Sequence, residues 1–202
     1  MKQLMIIGAG GHGKVAADIA KKCGYEEILF LDDNESVKQC GGYSVAGKCD
    51  RFSEYDCDFF VAVGNSKIRE MLLARLANAG KHVPTLIHPY SSIGENVVIG
   101  EGTLVAAGAI INPGAVIGSG CILNTASSVD HDCTVESFVH ISVGAHIAGT
   151  VHIGKHTWIG AGATVSNNVD ICEDCMVGAG AVVVRDIKEK GTYIGVPAER
   201  MR

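Results

Sequence analysis

Asp130-His131-Asp132 is the segment of this chain whose residue types point most directly to proton transfer. An imidazole titrates near neutrality and can take a proton from a reacting group. A flanking carboxylate can fix its tautomer and stabilise its charged form. A second arrangement is Gly8-x-Gly10-x-x-Gly13, set between a short apolar run and an amphipathic stretch, with Asp32 lying 19 residues beyond Gly13. Glycines placed there let backbone N–H groups at a helix N-terminus approach a phosphate. The pattern is open to three readings: a dinucleotide fingerprint, a site for a nucleotide-linked sugar, or a tight strand-to-helix turn with no ligand. Cys172-Glu-Asp-Cys175 is a CxxC with no second pair, a weak signal for zinc or redox chemistry. Ser127, Ser128 and Ser142 lack a nucleophile-elbow context, and direct transfer needs no covalent intermediate.

The elements that must carry these groups follow from a strict period. Every sixth residue from Ile93 to Val183 is aliphatic, with no insertion. Hexapeptide periodicity is the signature of a parallel β-helix. Gly follows the aliphatic residue at 94, 100, 118, 154, 160 and 178, where the chain is expected to turn between short strands. The fifth slot is small or β-branched, as at Thr103, Ala109, Ala115, Val151, Thr157 and Ala163, so two slots per hexad point inward. With three hexads per triangular coil, residues 93–182 make five coils. Cys121, Cys133 and Cys175 fall in the small inward slot and are expected to be buried thiols. His140, His146 and His152 occupy the last slot of successive hexads, hence different faces. They cannot meet within one chain, and no metal site is expected from them unless neighbouring subunits contribute.

The first 85 or so residues differ in kind. Apolar runs at 2–7, 27–31, 59–63 and 83–87 alternate with helical patterns near 14–23 and 67–78, which implies a small parallel α/β sheet. Two domains are therefore expected, 1–85 and 86–202, with the period dissolving after Val183 into a tail. The chain has 202 residues and a net charge of −5, with no Lys/Arg block, which argues against nucleic acid or an anionic membrane surface as partner. No apolar stretch approaches the ~20 residues of a membrane span, and the apolar start is too short for a signal peptide. The expected location is cytoplasmic, where the eight cysteines need not pair.

An ordered set of motifs extends the reading. Ile7-Gly-Ala-Gly-Gly-His-Gly13, Phe30-Leu-Asp-Asp33, Val63-Gly-Asn65, Leu86-Ile-His-Pro89, Ile122-Leu-Asn-Thr125, Asp130-His-Asp132, His140-Ile-Ser-Val-Gly-Ala145 and Gly195-Val-Pro-Ala198 run along the whole chain. In this order they resemble the sugar acyltransferases of the left-handed β-helix superfamily. The likeness is nearest to the group containing the UDP-N-acetylbacillosamine and perosamine N-acetyltransferases. The resemblance implies a small Rossmann-like domain followed by a left-handed parallel β-helix, with acetyl-CoA as co-substrate and a UDP-linked 4-amino-sugar as acceptor. It also implies a homotrimer with active sites between subunits.

Carried over residue by residue, His131 is the general base. Asp132 stands where the family usually has Glu, so Asp130 could share the orienting role. Asn124 lies near the acceptor and His140 near the thioester. The Gly149 N–H faces the oxyanion, and Ala161 and Ala179 contact CoA. Gly10, Gly11 and His12 cradle the diphosphate, Asp32 and Asp33 the uridine, and Gly64 the nucleotide edge. Alternatives with the same residues are sugar O-acetylation of the sialic-acid O-acetyltransferase type, a trimeric sugar-nucleotide sensor without turnover, and an NAD-linked oxidoreductase.

Overall fold

The computed structural model describes residues 2–201. The chain divides into two compact units, Met1–Pro89 and Tyr90–Arg202. In the first, β1 (Gln3–Ile7), β2 (Glu27–Leu31), β3 (Gln39–Cys40), β4 (Tyr43–Gly47) and β5 (Asp58–Val61) form one sheet in the order β3-β4-β2-β1-β5. β1 pairs in parallel with both β2 and β5, and β4 extends the parallel set beyond β2. Leu4 to Ile7 are all buried, as a parallel strand covered on both faces requires. Helix α1 (Gly11–Lys22) buries Ala16, Ala17, Ile19 and Ala20. Helix α2 (Ser66–Asn78) buries Leu72 and Leu76, which join a core of Met5, Ile7, Leu31, Phe59 and Val61.

Three features depart from the sequence reading. The apolar run at 83–87 adds no strand to this sheet: only Leu86–Ile87 is a strand, and it lies outside it. Helix α1 begins three residues before Lys14, so Gly11-His12-Gly13 is its first turn rather than a loop. Gly13 is there because a Cβ would lie 2.1 Å from the Gly8 carbonyl oxygen. The β3–β4 hairpin and a short 3-10 helix at Cys49–Glu54 lie in a stretch with no clear alternation, where periodicity carries no signal.

The second unit is a three-faced parallel β-helix. Strands stack at intervals of 18 residues, for example Ile110 on Ser128 and Ser128 on His146 on the first face. The second face stacks Thr134, His152 and Asp170, and the third Ile122, His140, Trp158 and Met176. From Val105 to Val183 the aliphatic residue of each hexad points in and is buried, as at Val129, Ile141, Ile147 and Ile159, whereas Ile93 on the first coil is 38% exposed. Cys121, Cys133 and Cys175 are buried beside them.

The glycines after the aliphatic position have a different cause from the one expected. A Cβ on Gly154 would lie 2.4 Å from the backbone nitrogen of Glu173, so close approach of the next coil excludes side chains there. Left-handed backbone falls two residues later, at the fourth slot, where Gly114 (φ 76), Gly162 (φ 66), Asn168 (φ 59) and Asp132 (φ 56) sit. Beyond Val183 the chain is not only a tail. Gly191–Ile194 adds in parallel to Cys175–Val177, and Glu199–Arg200 pairs antiparallel with it. Cys175 faces Gly191, a spacing of 16 that a count of hexads does not detect.

These two glycine classes should respond differently to a methyl group. Gly154→Ala should destabilise by roughly 1–3 kcal/mol, because the obstructing atom is backbone. Gly162→Ala, which points into open space, should lose only the left-handed penalty of about 1 kcal/mol. Denaturant unfolding of the two variants measures the difference.

Candidate active site

His131 sits on the turn that leaves the first-face strand Ser128–Val129, at the corner between first and second faces. Its Nδ1 lies 2.9 Å from Asp132 Oδ2. Asp130 does a different job: its Oδ1 accepts the His131 backbone N–H at 2.8 Å and the Asn112 side-chain N–H at 2.8 Å. Asp132 therefore holds the ring and Asp130 the backbone. Although one methylene shorter than Glu, Asp132 reaches the imidazole from a left-handed backbone, a conformation Asp tolerates. The coils on either side clamp the turn, through Asp132 N–H to Pro113 O at 3.1 Å and Thr150 N–H to His131 O at 2.9 Å.

The imidazole lies over Gly149, where a Cβ would be 2.5 Å from His131 Nε2. Gly114 likewise leaves room for Asp132, whose Oδ1 would be 2.6 Å from a Cβ there. The hydrogen bond the ring gives to Asp132 pushes the His131 pKa up against desolvation, and the charges of Asp130 and Asp132 add to the rise. With Nδ1–H given to Asp132, the Nε2 lone pair is the one left to accept a proton.

A second group of side chains lines the third face. His140 stacks on Trp158 with ring centroids 5.1 Å apart, and its Nε2 is 3.3 Å from Asn124 Nδ2. Trp158 Nε1–H donates to Ser142 Oγ. Below them runs a groove of about 320 Å³ lined by Ser142, Trp158, Ala161, Met176, Val177 and Ala179. Ala161 and Ala179 stand 18 residues apart, one above the other, and both are exposed. His140 lies in a third-face strand and Asn124, Ala161 and Ala179 on the turns that leave that face toward the first, whereas His131 and Gly149 share the corner between first and second faces.

A third constellation lies in the N-terminal unit. β1 runs between β2 and β5, so the chain leaves it in opposite directions and opens a crevice at the strands' carboxyl ends. A pocket of about 390 Å³ there is lined by Gly8, Asp32, Asp33, Val63, Ile68 and Arg75, among others. Asp32 and Asp33 also hold the crevice together. Asp32 accepts the Ala9 N–H at 2.7 Å and the Asn34 N–H at 2.8 Å, and Asp33 accepts the Cys49 N–H at 2.9 Å. Gly10, Gly11 and Gly64 flank these loops, and a Cβ on any of them would meet nothing within 4 Å. Nothing inside the unit demands glycine at those three positions, so they leave the backbone open to an approaching group.

His12 opens α1, and burial together with the Arg69 charge pushes its pKa down to about 4, so it is neutral near pH 7. Its Nε2 is buried without a hydrogen-bond partner among the described residues. Arg69, 1% exposed, donates from Nη1 to the carbonyls of Val63 and Gly64 at 2.8 and 2.9 Å. The sequence reading passed over Arg69. Its spacing with Leu72 and Leu76 on the buried face of α2 is the signal that could have found it.

Among the described residues, no group of three or more His, Cys, Asp or Glu is placed to hold a metal ion. Cys172 and Cys175 are free thiols with sulfurs 3.5 Å apart. His140, His146 and His152 lie on the third, first and second faces. No helix among the described residues is long and apolar enough to cross a membrane.

The fold and these groups define a hexapeptide-repeat transferase carrying an N-terminal α/β domain. Residues 3–76 match the PglD N-terminal domain family, and residues 150–185 match the bacterial transferase hexapeptide repeats. GDP-perosamine N-acetyltransferase of Escherichia coli O157:H7 is 30% identical over 164 residues, covering 77% of this chain and 74% of that protein. UDP-N-acetylbacillosamine N-acetyltransferase of Bacillus subtilis (strain 168) is 36% identical over 49% of each chain. Among solved structures, the acetyltransferase domain of PglB from Neisseria gonorrhoeae FA1090, in complex with acetyl coenzyme A, superposes with a TM-score of 0.96. It is 41% identical and covers 99% of both chains. PerB from Caulobacter crescentus, in complex with CoA and GDP-perosamine, gives a TM-score of 0.95 at 34% identity over 100% and 98% of the two chains. The chain belongs to the sugar N-acetyltransferase family. It is an acetyltransferase, which sets aside the oxidoreductase and sensor readings.

If Asp132 sets the charge state of His131, Asp132→Asn should lower the imidazole pKa, because it replaces the carboxylate that favours the protonated ring. An NMR titration of the His131 ring reads the shift directly.

Proposed function

We propose that this chain transfers acetyl from acetyl-CoA to the amine of a UDP-linked 4-amino-sugar, with His131 as general base. The observation that carries this reading is an imidazole oriented by Asp132 through Nδ1, with Nε2 lying over the bare backbone of Gly149. The amine nitrogen attacks the thioester carbonyl and its proton passes to Nε2. Collapse of the tetrahedral intermediate breaks the C–S bond, and the proton returns to the departing thiolate. The Gly149 N–H serves as a donor to the oxyanion, and one such donor is worth roughly 3–4 kcal/mol.

Acetyl-CoA runs along the third-face groove, with Ala161 and Ala179 against it and His140 near the thioester. The apolar lining of that groove supports this role. Asn124, beside His140, faces the acceptor. The nucleotide occupies the switch-point crevice: Gly10, Gly11 and neutral His12 meet the diphosphate, Asp32 and Asp33 the uridine, and Gly64 the nucleotide edge. The open space at the three glycines and the unpartnered His12 Nε2 support that assignment. His131 and His140 lie on opposite parts of one prism, so a cleft holding both needs two chains. A homotrimer with active sites between subunits supplies it, and a cytoplasmic location suits both substrates. A GDP-linked amino-sugar is the second reading, favoured by the 30% identity to a GDP-perosamine N-acetyltransferase.

Mass spectrometry with acetyl-CoA and a panel of UDP- and GDP-linked 4-amino-sugars tests both. An acetylated UDP-sugar is the expected product, and exclusive acetylation of the GDP-sugars would move the assignment to the second reading. His131→Ala should cut turnover by roughly 10²–10⁴ while the protein remains folded. Gly149→Ala, which drives a methyl group into the imidazole, should lower kcat by about 10²-fold.

A further inference from the structure

The second slot of the hexad is glycine at six positions, yet two successive coils carry Asn112 and Asp130 there. Their backbones are held in place, Asn112 N–H on Val129 O and Asp130 N–H on Ile147 O, each at 2.9 Å. The side chains meet as well: Asn112 Nδ2–H donates to Asp130 Oδ1 at 2.8 Å, and the same oxygen accepts the His131 N–H at 2.8 Å. Both side chains are half-buried, whereas His131 is exposed. The next coil holds the His131 carbonyl through the Thr150 N–H at 2.9 Å, and the Asp130 carboxylate adds a hold on the His131 N–H; a base 1 Å out of place can lose about 10²-fold in rate.

We infer that Asn112, acting through Asp130, is a positioning residue for His131, fixing the backbone from which the imidazole projects while Asp132 fixes the ring. This rests on the reading of His131 as the base. Asn112 needs no contact with either substrate. Its donated N–H holds the same Asp130 oxygen that accepts the His131 N–H. Asp130, held ionised by the Asn112 and His131 donors, also leaves a negative charge beside the imidazole. The charged groups facing His131 are Asp130 and Asp132. The packed turns at 112–114 and 148–150 contribute only Asn, Pro, Gly, Ala and Thr.

The two members should separate in steady-state kinetics of the full chain. Asn112→Ala should lower kcat by about tenfold with KM for both substrates unchanged and the acid limb of the pH profile unmoved. Asp130→Asn keeps the shape and the acceptor oxygen but removes the charge, so it should move the acid limb of kcat/KM to lower pH. Wild-type kcat in Asn112→Ala, or an effect confined to KM, would overturn the inference. If Asn112→Ala does not fold, Asp130→Ala, which removes the oxygen that takes both the Asn112 and the His131 N–H, decides the matter: a lowered kcat with KM unchanged supports the positioning role, and wild-type kcat overturns it. His131→Ala, assayed alongside, separates the two levels. If it retains activity, the base assignment falls, and if it is inactive while both other variants behave as wild type, only the positioning role falls.

Discussion

The hydrogen-bonded register that places residue i over residue i+18 is the constraint on which the rest of the β-helix depends. It stacks His140 on Trp158 and sets Ala161 above Ala179 in one groove. It also lays the His131 ring over Gly149 and puts Asn112 within reach of Asp130. None of these contacts is local in sequence, yet each is as regular as the ladder itself, because parallel strands at a fixed spacing admit no slippage without turning the aliphatic column outward. A corner built on such a ladder inherits its rigidity, which suits the proposed reaction, one that works by holding two reactants and a base in fixed geometry.

Two histidines show how that framework sets opposite charge states for one residue type. His131, exposed between two carboxylates, has its protonated form favoured. His12, buried beside the Arg69 guanidinium, is held neutral, with a pKa of about 4. The first can shuttle a proton near neutral pH. The second can offer a hydrogen bond without adding charge to a site already furnished with two helix N-termini and a buried arginine. Environment, rather than identity, assigns the work.

Glycine divides in the same way. Gly8 and Gly13 are required by their neighbours, Gly8 at φ 107 and Gly13 against the Gly8 carbonyl, while Gly10 and Gly11 are required by nothing within the unit. A Gly-x-Gly-x-x-Gly pattern therefore mixes packing and access, and only the tertiary structure separates them. Asp32 and Asp33 are similar: the sequence marks them as acceptors, and the structure adds that they tie the loops of the crevice to one another.

By itself the sequence determined the hexad period, the coil count, the inward cysteines and the parallel α/β start, because hydrophobic periodicity is a one-dimensional record of which side faces the core. It also marked His131 with its flanking carboxylates. Only the tertiary structure decided that Asp132 takes the ring while Asp130 takes the backbone, and that Gly149 is the floor under the imidazole. It alone brought out Arg69 beneath the Val63–Gly64 loop and the final strand at Gly191–Ile194. The two carboxylates differ only in where each side chain turns within one tight turn, whereas Gly149 lies 18 residues from His131 and the final strand pairs at a spacing of 16. Periodicity says which way a residue faces, but a contact of under 3 Å depends on where the next coil places its atoms.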